Sequence, residues 1–234
     1  MMVMLLAAGR GERMRPLTDH TPKPLLQVGG KALIVRHIER LAQAGFTELV
    51  INHAHLGHQI ETTLGDGKQF GVSIQYSDEG KALETAGGVA YALHYFGSAP
   101  FAVINSDIYC EYDFTQLTER AAKLNRDLAH LVLVSNPEQH PNGDFGLSNG
   151  RVTENSPKLT FSGIGIYSPA LFQQIARGTT APLAPLLREQ IALGKISGEH
   201  YCGRWVDVGT PQRLQQLDNA LRTPHNTENP RLGS

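Results

Sequence analysis

Cysteine is scarce in this chain of 234 residues: Cys110 and Cys202 are the whole complement. Two thiols are too few for a disulfide framework and fit reduced side chains in apolar surroundings. A charge excess is missing too, since 21 Lys and Arg against 22 Asp and Glu leave a formal net charge of −1. Without a basic field, nucleic acid is not the expected partner, and a small metabolite is. No run approaches the roughly 20 apolar residues that span a bilayer, and the start lacks a basic, apolar and small-residue leader. The expectation is a soluble, cytoplasmic protein with no membrane partner. No Gly-x-Ser-x-Gly elbow appears, so covalent serine catalysis has no support. Internal repeats and low-complexity blocks are absent as well.

What the chain does have is concentrated at its start. The apolar run Val3-Met4-Leu5-Leu6 passes into residues 6–18, LAAGRGERMRPLT, and Pro22-Lys23-Pro24 follows. A strand ending in Gly9 and Gly11 lets main-chain N–H groups approach a phosphate, because no Cβ holds it off. Arg13 and Lys23 add fixed positive charge of the kind that stabilises phosphoryl and nucleotidyl transfer. An ordinary glycine-rich turn is the alternative, and Arg15 can equally pair with Asp19. Two other glycine loops are excluded. A Rossmann fingerprint needs glycine where Met14 stands, and at Gly29-Gly30-Lys31 a P-loop would need glycine at Leu25 and a hydroxyl at Ala32.

Apolar runs at 2–6, 48–52, 72–76 and 101–105 read as strands, and helical spacing marks 32–44, 56–64, 85–96 and 115–124. This alternation predicts an α/β fold, a Rossmann-like, mainly parallel sheet with helices on both faces. Ligands of such sheets sit beyond the carboxyl ends of the strands, which places Gly9 and Asp107 on one edge. A further strand is read at 131–134. The turn signals Asn142-Gly143 and Asn149-Gly150 then predict short antiparallel strands. Strands at 196–201 and 204–206 and a closing helix at 211–222, with Pro211 in its first turn, complete one domain, 1–222. Residues 223–234 are polar and aperiodic, and are expected to form a flexible tail. The run His53-Ala54-His55-Leu56-Gly57-His58 has no cysteine or acidic residue at zinc-ligand spacing and is read as solvated or packing histidines.

Residues 6–18 with Pro22-Lys23-Pro24 resemble the opening signature of the sugar-1-phosphate nucleotidylyltransferases, or nucleotide-sugar pyrophosphorylases. Further matches follow in family order at Leu83-Glu84-Thr85-Ala86-Gly87-Gly88, Asn105-Ser106-Asp107, Phe161-Ser162-Gly163-Ile164 and Trp205-Val206-Asp207-Val208-Gly209-Thr210. The likeness covers nearly the whole chain. It implies a glycosyltransferase-A-like fold with a small antiparallel sheet over the sugar site. It implies attack by a sugar-1-phosphate oxygen on the α-phosphorus of a nucleoside triphosphate, with pyrophosphate leaving.

By the same resemblance, Arg13 and Lys23 are catalytic, and Asp107 and Asp207 hold Mg²⁺, although either aspartate could instead serve as a turn or cap residue. Nucleotide binding is implied for Leu6, Ala7, Ala8, Gly9, Gly11, Glu12, Arg13, Lys23, Thr85, Gly87, Gly88 and Asn105, with close helix-to-sheet packing the alternative for Gly87 and Gly88. Sugar-phosphate binding is implied for Asp144, Gly146, Glu154, Asn155 and Gly163. One position departs from the family pattern: Asn155 stands where many members carry a phosphate-holding lysine, and Lys158 lies nearby without aligning.

Within the family, Ile51-Asn52-His53-Ala54, Gly143-Asp144-Phe145 and Ser197-Gly198-Glu199-His200-Tyr201 resemble the uridylyltransferases of N-acetylmuramate α-1-phosphate. That implies UTP and a sugar 1-phosphate as substrates, with UDP-N-acetylmuramate made for peptidoglycan recycling. Two alternatives stand beside it. One is mannose-1-phosphate guanylyl transfer, through the likeness at 83–87. The other is a nucleotide-sugar sensor without turnover, against which Arg13, Lys23 and both aspartates argue. Oligomeric state is not set by the sequence.

Overall fold

The computed structural model describes residues 1–222, so the segment 223–234 lies outside the described residues. Strand β1 (Val3–Leu6) is followed by a hairpin of β2 (Gln27–Val28) and β3 (Lys31–Ala32), which leads into α1 (Leu33–Gln43). Next come β4 (Glu48–His53), α2 (Gly57–Leu64), β5 (Ser73–Asp78), α3 (Glu84–Ala92) and β6 (Phe101–Asn105). The chain then forms β7 (Ile108–Cys110), α4 (Gln116–Ala122), β8 (Ala129–Val134), β9 (Phe145–Ser148) and β10 (Arg151–Thr153). It closes with β11 (Lys158–Tyr167), α5 (Leu183–Ala192), β12 (Ile196–Tyr201), β13 (Trp205–Asp207) and α6 (Pro211–Arg222). These elements bear out the α/β reading, with boundaries moved by a residue or a few. The helix expected over 85–96 gives way to a 3₁₀ turn, Leu93–Tyr95.

Nine strands form one mixed sheet in the order β5-β4-β1-β6-β11-β8-β12-β10-β9. Its first four strands are parallel. Both faces are covered, which is why β1 is apolar throughout. Val3 and Leu5 pack with Ile34, Ile38 and Leu41 of α1, while Met4 packs on the other face with Val89 of α3 and Leu187 of α5. The spacing of Ile34, Ile38 and Leu41 puts them on one face of α1.

The antiparallel strands read near residue 145 belong to the main sheet. β10 pairs with β12 and β9, and β9 also pairs with the start of β11. A bulge between Phe161 and Ile164, with Gly163 at φ +81°, shifts the register of β11 and turns its first residues toward β9. A separate small sheet is made by β7 and β13, directly after β6. Among the described residues no helix is long and apolar enough to cross a membrane. Cys110 is buried, but Cys202 is exposed, because it falls just beyond the end of β12, which corrects the apolar setting expected for it.

Candidate active site

The loop after β1 is shaped by Gly11. Its φ is +69°, and a Cβ there would lie 2.9 Å from Thr18 Cγ2 and 3.3 Å from Lys23 Cβ. The Thr18 hydroxyl donates to the Gly11 carbonyl at 2.9 Å, closing the loop on itself. Gly9 differs, since a Cβ there would meet nothing within 4 Å. The arginines divide by partner. Arg10 pairs with Glu12 at 3.1 Å and Arg15 with Asp19 at 2.9 Å, whereas Arg13 has no partner among the described residues and lines a cleft.

This cleft, about 320 Å³, lies beyond the carboxyl ends of the parallel strands. The structure brings together there Leu6, Ala7, Ala8, Gly9, Gly11, Glu12, Arg13, Lys23, Thr85, Asn105 and Asp107, residues the sequence singled out from four separate segments. Lys23 is almost fully buried, and its ammonium donates to Asp107 Oδ2 at 2.6 Å. Its neighbours Pro22 and Pro24 fix the short 3₁₀ turn that carries it.

Asp107 follows β6, and the small β7–β13 sheet carries Asp207 to the same edge. Asp207 pairs in register with Ile108, and the Val208 N–H donates to the Asp107 carbonyl at 3.0 Å. Gly209 lines the cleft, and a Cβ on it would stand 3.1 Å from both Asp207 carboxylate oxygens. Asp207 also accepts from Arg213 Nη1 at 2.7 Å. Among the described residues no three His, Cys, Asp or Glu side chains gather as a ready-made metal cage. Asp207 does not itself line the cleft, yet two carboxylates brought to one edge fit a hard divalent cation that takes its remaining oxygens from other ligands. Within the histidine run, His53 is buried, 2.7 Å from Glu61, with Gly57 packed on its ring.

Asn52, seen in sequence only within a family match, and Glu79 had no site role by sequence alone, yet both line the cleft. Asn52, at the inner end of β4, accepts from the Ala7 N–H at 2.9 Å and donates to Glu79 Oε1 at 2.6 Å. Glu79 Oε2 accepts from the Leu83 N–H at 2.9 Å, and burial pushes the Glu79 carboxyl pKa up despite these bonds. A buried asparagine after Leu49-Val50-Ile51 was the signal available, because such a side chain must find partners.

Gly87 and Gly88 require correction. Neither lines the cleft, and the Gly87 N–H is spent on the Ala181 carbonyl at 3.0 Å. A Cβ on Gly87 would strike the Thr179 carbonyl, and one on Gly88 would strike Glu79 and lie 2.9 Å from Asn52 Nδ2. They are close-packing glycines, and Gly88 shapes the cleft only through the pair it touches.

The sugar-side residues also lie off this cleft. Asp144 is engaged within the fold, accepting from the Phe161 N–H at 2.8 Å and facing His140 at 3.1 Å. Glu154 pairs with Lys158 at 3.0 Å and Arg188 at 3.4 Å. Gly146 packs closely on the Asn155 carbonyl across the β9–β10 hairpin. Gly163 alone of the five reaches cleft residues, since a Cβ on it would lie 2.7 Å from Asn105 Nδ2.

Known proteins resemble this chain in sequence and fold. The Nucleotidyl transferase family model matches residues 2–223. A Neisseria meningitidis protein named N-acetylmuramate alpha-1-phosphate uridylyltransferase is 54% identical, over 92% of this chain and 96% of that protein. A Caulobacter vibrioides protein of the same name is 36% identical, over 89% and 92%. A Neurospora crassa mannose-1-phosphate guanyltransferase is 30% identical over 91% of this chain, which spans 62% of that protein. In fold, a Bacillus anthracis structure provisionally named a glucose-1-phosphate thymidylyltransferase, with sucrose bound, superposes with a TM-score of 0.83 at 24% identity, over 95% of this chain and 96% of that one. Loop, cleft and paired carboxylates thus occur in a sequence that the family model matches almost from end to end, and the chain belongs to the nucleotidyl transferase family.

Proposed function

We propose that residues 1–222 form one catalytic unit that transfers UMP from UTP to N-acetylmuramate α-1-phosphate in the cytoplasm. The observation that carries this reading is the meeting, in one cleft, of the Lys23–Asp107 pair with Arg13, which has no partner among the described residues. The choice of base and sugar rests on relatives. Those at 54% and 36% identity are uridylyltransferases by name, whereas the guanyltransferase at 30% is matched over 62% of its length.

In this reading the β1 loop, with Gly9 open to the cleft, receives the triphosphate on main-chain N–H groups. Arg13 and Lys23 neutralise the charge that builds as a sugar-phosphate oxygen bonds to the α-phosphorus and the bond to the β-phosphate bridge breaks. Asp107 and Asp207 would hold a divalent cation, Mg²⁺ here, which when bound offsets phosphate charge and holds oxygens in line. Thr85 and the fixed Asn52–Glu79 pair face the base, and the strands from Asp144 to Gly163 border the sugar. No nucleic acid takes part. The product, UDP-N-acetylmuramate, returns cell-wall sugar to peptidoglycan synthesis.

Phosphorus-31 NMR of a reaction holding UTP, Mg²⁺ and N-acetylmuramate α-1-phosphate tests this. A coupled diphosphate pair of the UDP-sugar should appear together with pyrophosphate. Loss of UTP to UMP without a sugar adduct would contradict it.

A further inference from the structure

Arg213 is a residue that neither the motifs nor the composition marked. It lies in the first turn of α6, and its guanidinium is fixed by three neighbours. Nη1 donates to Asp207 Oδ2 at 2.7 Å, Nε reaches Thr210 Oγ1 at 3.4 Å, and Gly209 leaves room where a Cβ would stand 2.5 Å from Nη2. The Arg213 side chain is 16% exposed and Asp207 27%. Lys23 does the same for Asp107 at 2.6 Å, with its side chain 8% exposed. Each carboxylate of the pair therefore carries its own protein cation, and together the four groups are formally neutral.

We infer that Arg213 is a positioning residue for Asp207, and that with Lys23 it keeps a divalent cation off the enzyme until a triphosphate arrives. The inference rests on the assignment of Asp107 and Asp207 as the metal carboxylates. A unit charge within hydrogen-bond distance of a carboxylate opposes a second cation strongly in a partly desolvated site. A triphosphate reverses that balance, because it adds negative charge beside Arg13 and offers Lys23 a competing partner. Metal and nucleotide then bind as a coupled pair, and the protein alone holds little metal.

The test uses the full chain, Mn²⁺ as the probe, and electron paramagnetic resonance to separate free from bound ion, with and without α,β-methylene-UTP. Without nucleotide, Arg213→Gln should bind Mn²⁺ about tenfold or more tightly than wild type, and Arg213→Lys, which keeps the charge, should stay near wild type. Lys23→Gln should tighten binding in the same sense, so a folding failure of one variant leaves the other to decide. Equal or weaker Mn²⁺ binding by both Gln variants would overturn the inference while leaving the transferase reading in place. If the wild type with the analogue holds no more Mn²⁺ than the analogue does alone, the metal assignment itself is wrong and the inference falls with it.

Discussion

The Lys23 ammonium stands 2.6 Å from the Asp107 carboxylate, joining residues 84 positions apart in the wall of one cleft. The lysine is buried and the aspartate is half-exposed, so removing the lysine leaves an anion that water can still reach. Lys23→Ala should therefore lower kcat/KM for UTP by about 100-fold or more and leave the circular dichroism spectrum unchanged. Turnover within about threefold of wild type would remove Lys23 from the reaction.

Arg13 lines the same cleft without a partner among the described residues. Its truncation breaks no bond of the fold, so Arg13→Ala should leave the melting temperature unchanged and lower kcat more than it raises KM. Arg15→Ala is the contrast: Arg15 is half-exposed and paired with Asp19 on the surface, a contact worth at most about 1 kcal/mol. Steady-state kinetics on the two variants should separate them clearly.

Gly88 packs on the Asn52–Glu79 pair, so Gly88→Ala should push the two side chains apart. A lost buried hydrogen bond costs about 1–3 kcal/mol. Urea unfolding should register that loss, and the KM for UTP should rise because the Ala7 segment is tied to Asn52.

Acid should destabilise the chain in two steps. Burial, with a lesser push from Arg40, lowers the His37 pKa from 6.5 to about 4, so its contribution is complete above pH 6.5 and fades as pH falls toward 4. Burial alone would raise the Glu199 pKa, but hydrogen bonds from Arg120 at 2.6 Å and Tyr112 at 2.7 Å, with the His130 ring 3.6 Å away, outweigh it and bring it to about 2. Its contribution is complete above pH 4.5 and fades toward 2. Each group accounts for up to about 3 kcal/mol. Unfolding free energies at pH 7, 5.5 and 4 should fall with pH, and His37→Phe should flatten the upper step.

The alternation of strands and helices was legible because the parallel strands β1, β4 and β6 are largely apolar runs buried on both faces, whereas β5 at the sheet edge alternates, and the start of the closing helix at Pro211 was read to the residue. The glycine loop was legible for the same local reason. Asp107 and Asp207 were paired only through resemblance, since what joins them is the β7–β13 register, a tertiary fact. Local reading could not see that the Gly87 N–H is taken by Ala181 or that Asp144 is consumed by Phe161. Asn52, Glu79 and Arg213 were missed because their meaning lies in partners distant in sequence or set by a helix turn.

Substrate choice is the claim on which the rest converges, and initial rates of pyrophosphate release give the most direct measure of it. UTP and GTP should be crossed with N-acetylmuramate α-1-phosphate and mannose 1-phosphate. UTP with the N-acetylmuramate substrate should exceed every other pairing in kcat/KM by about 100-fold or more, as a site that hydrogen-bonds one base must discriminate. A preference for GTP with mannose 1-phosphate, or saturable nucleotide binding with no pyrophosphate released from any pairing, would contradict the account.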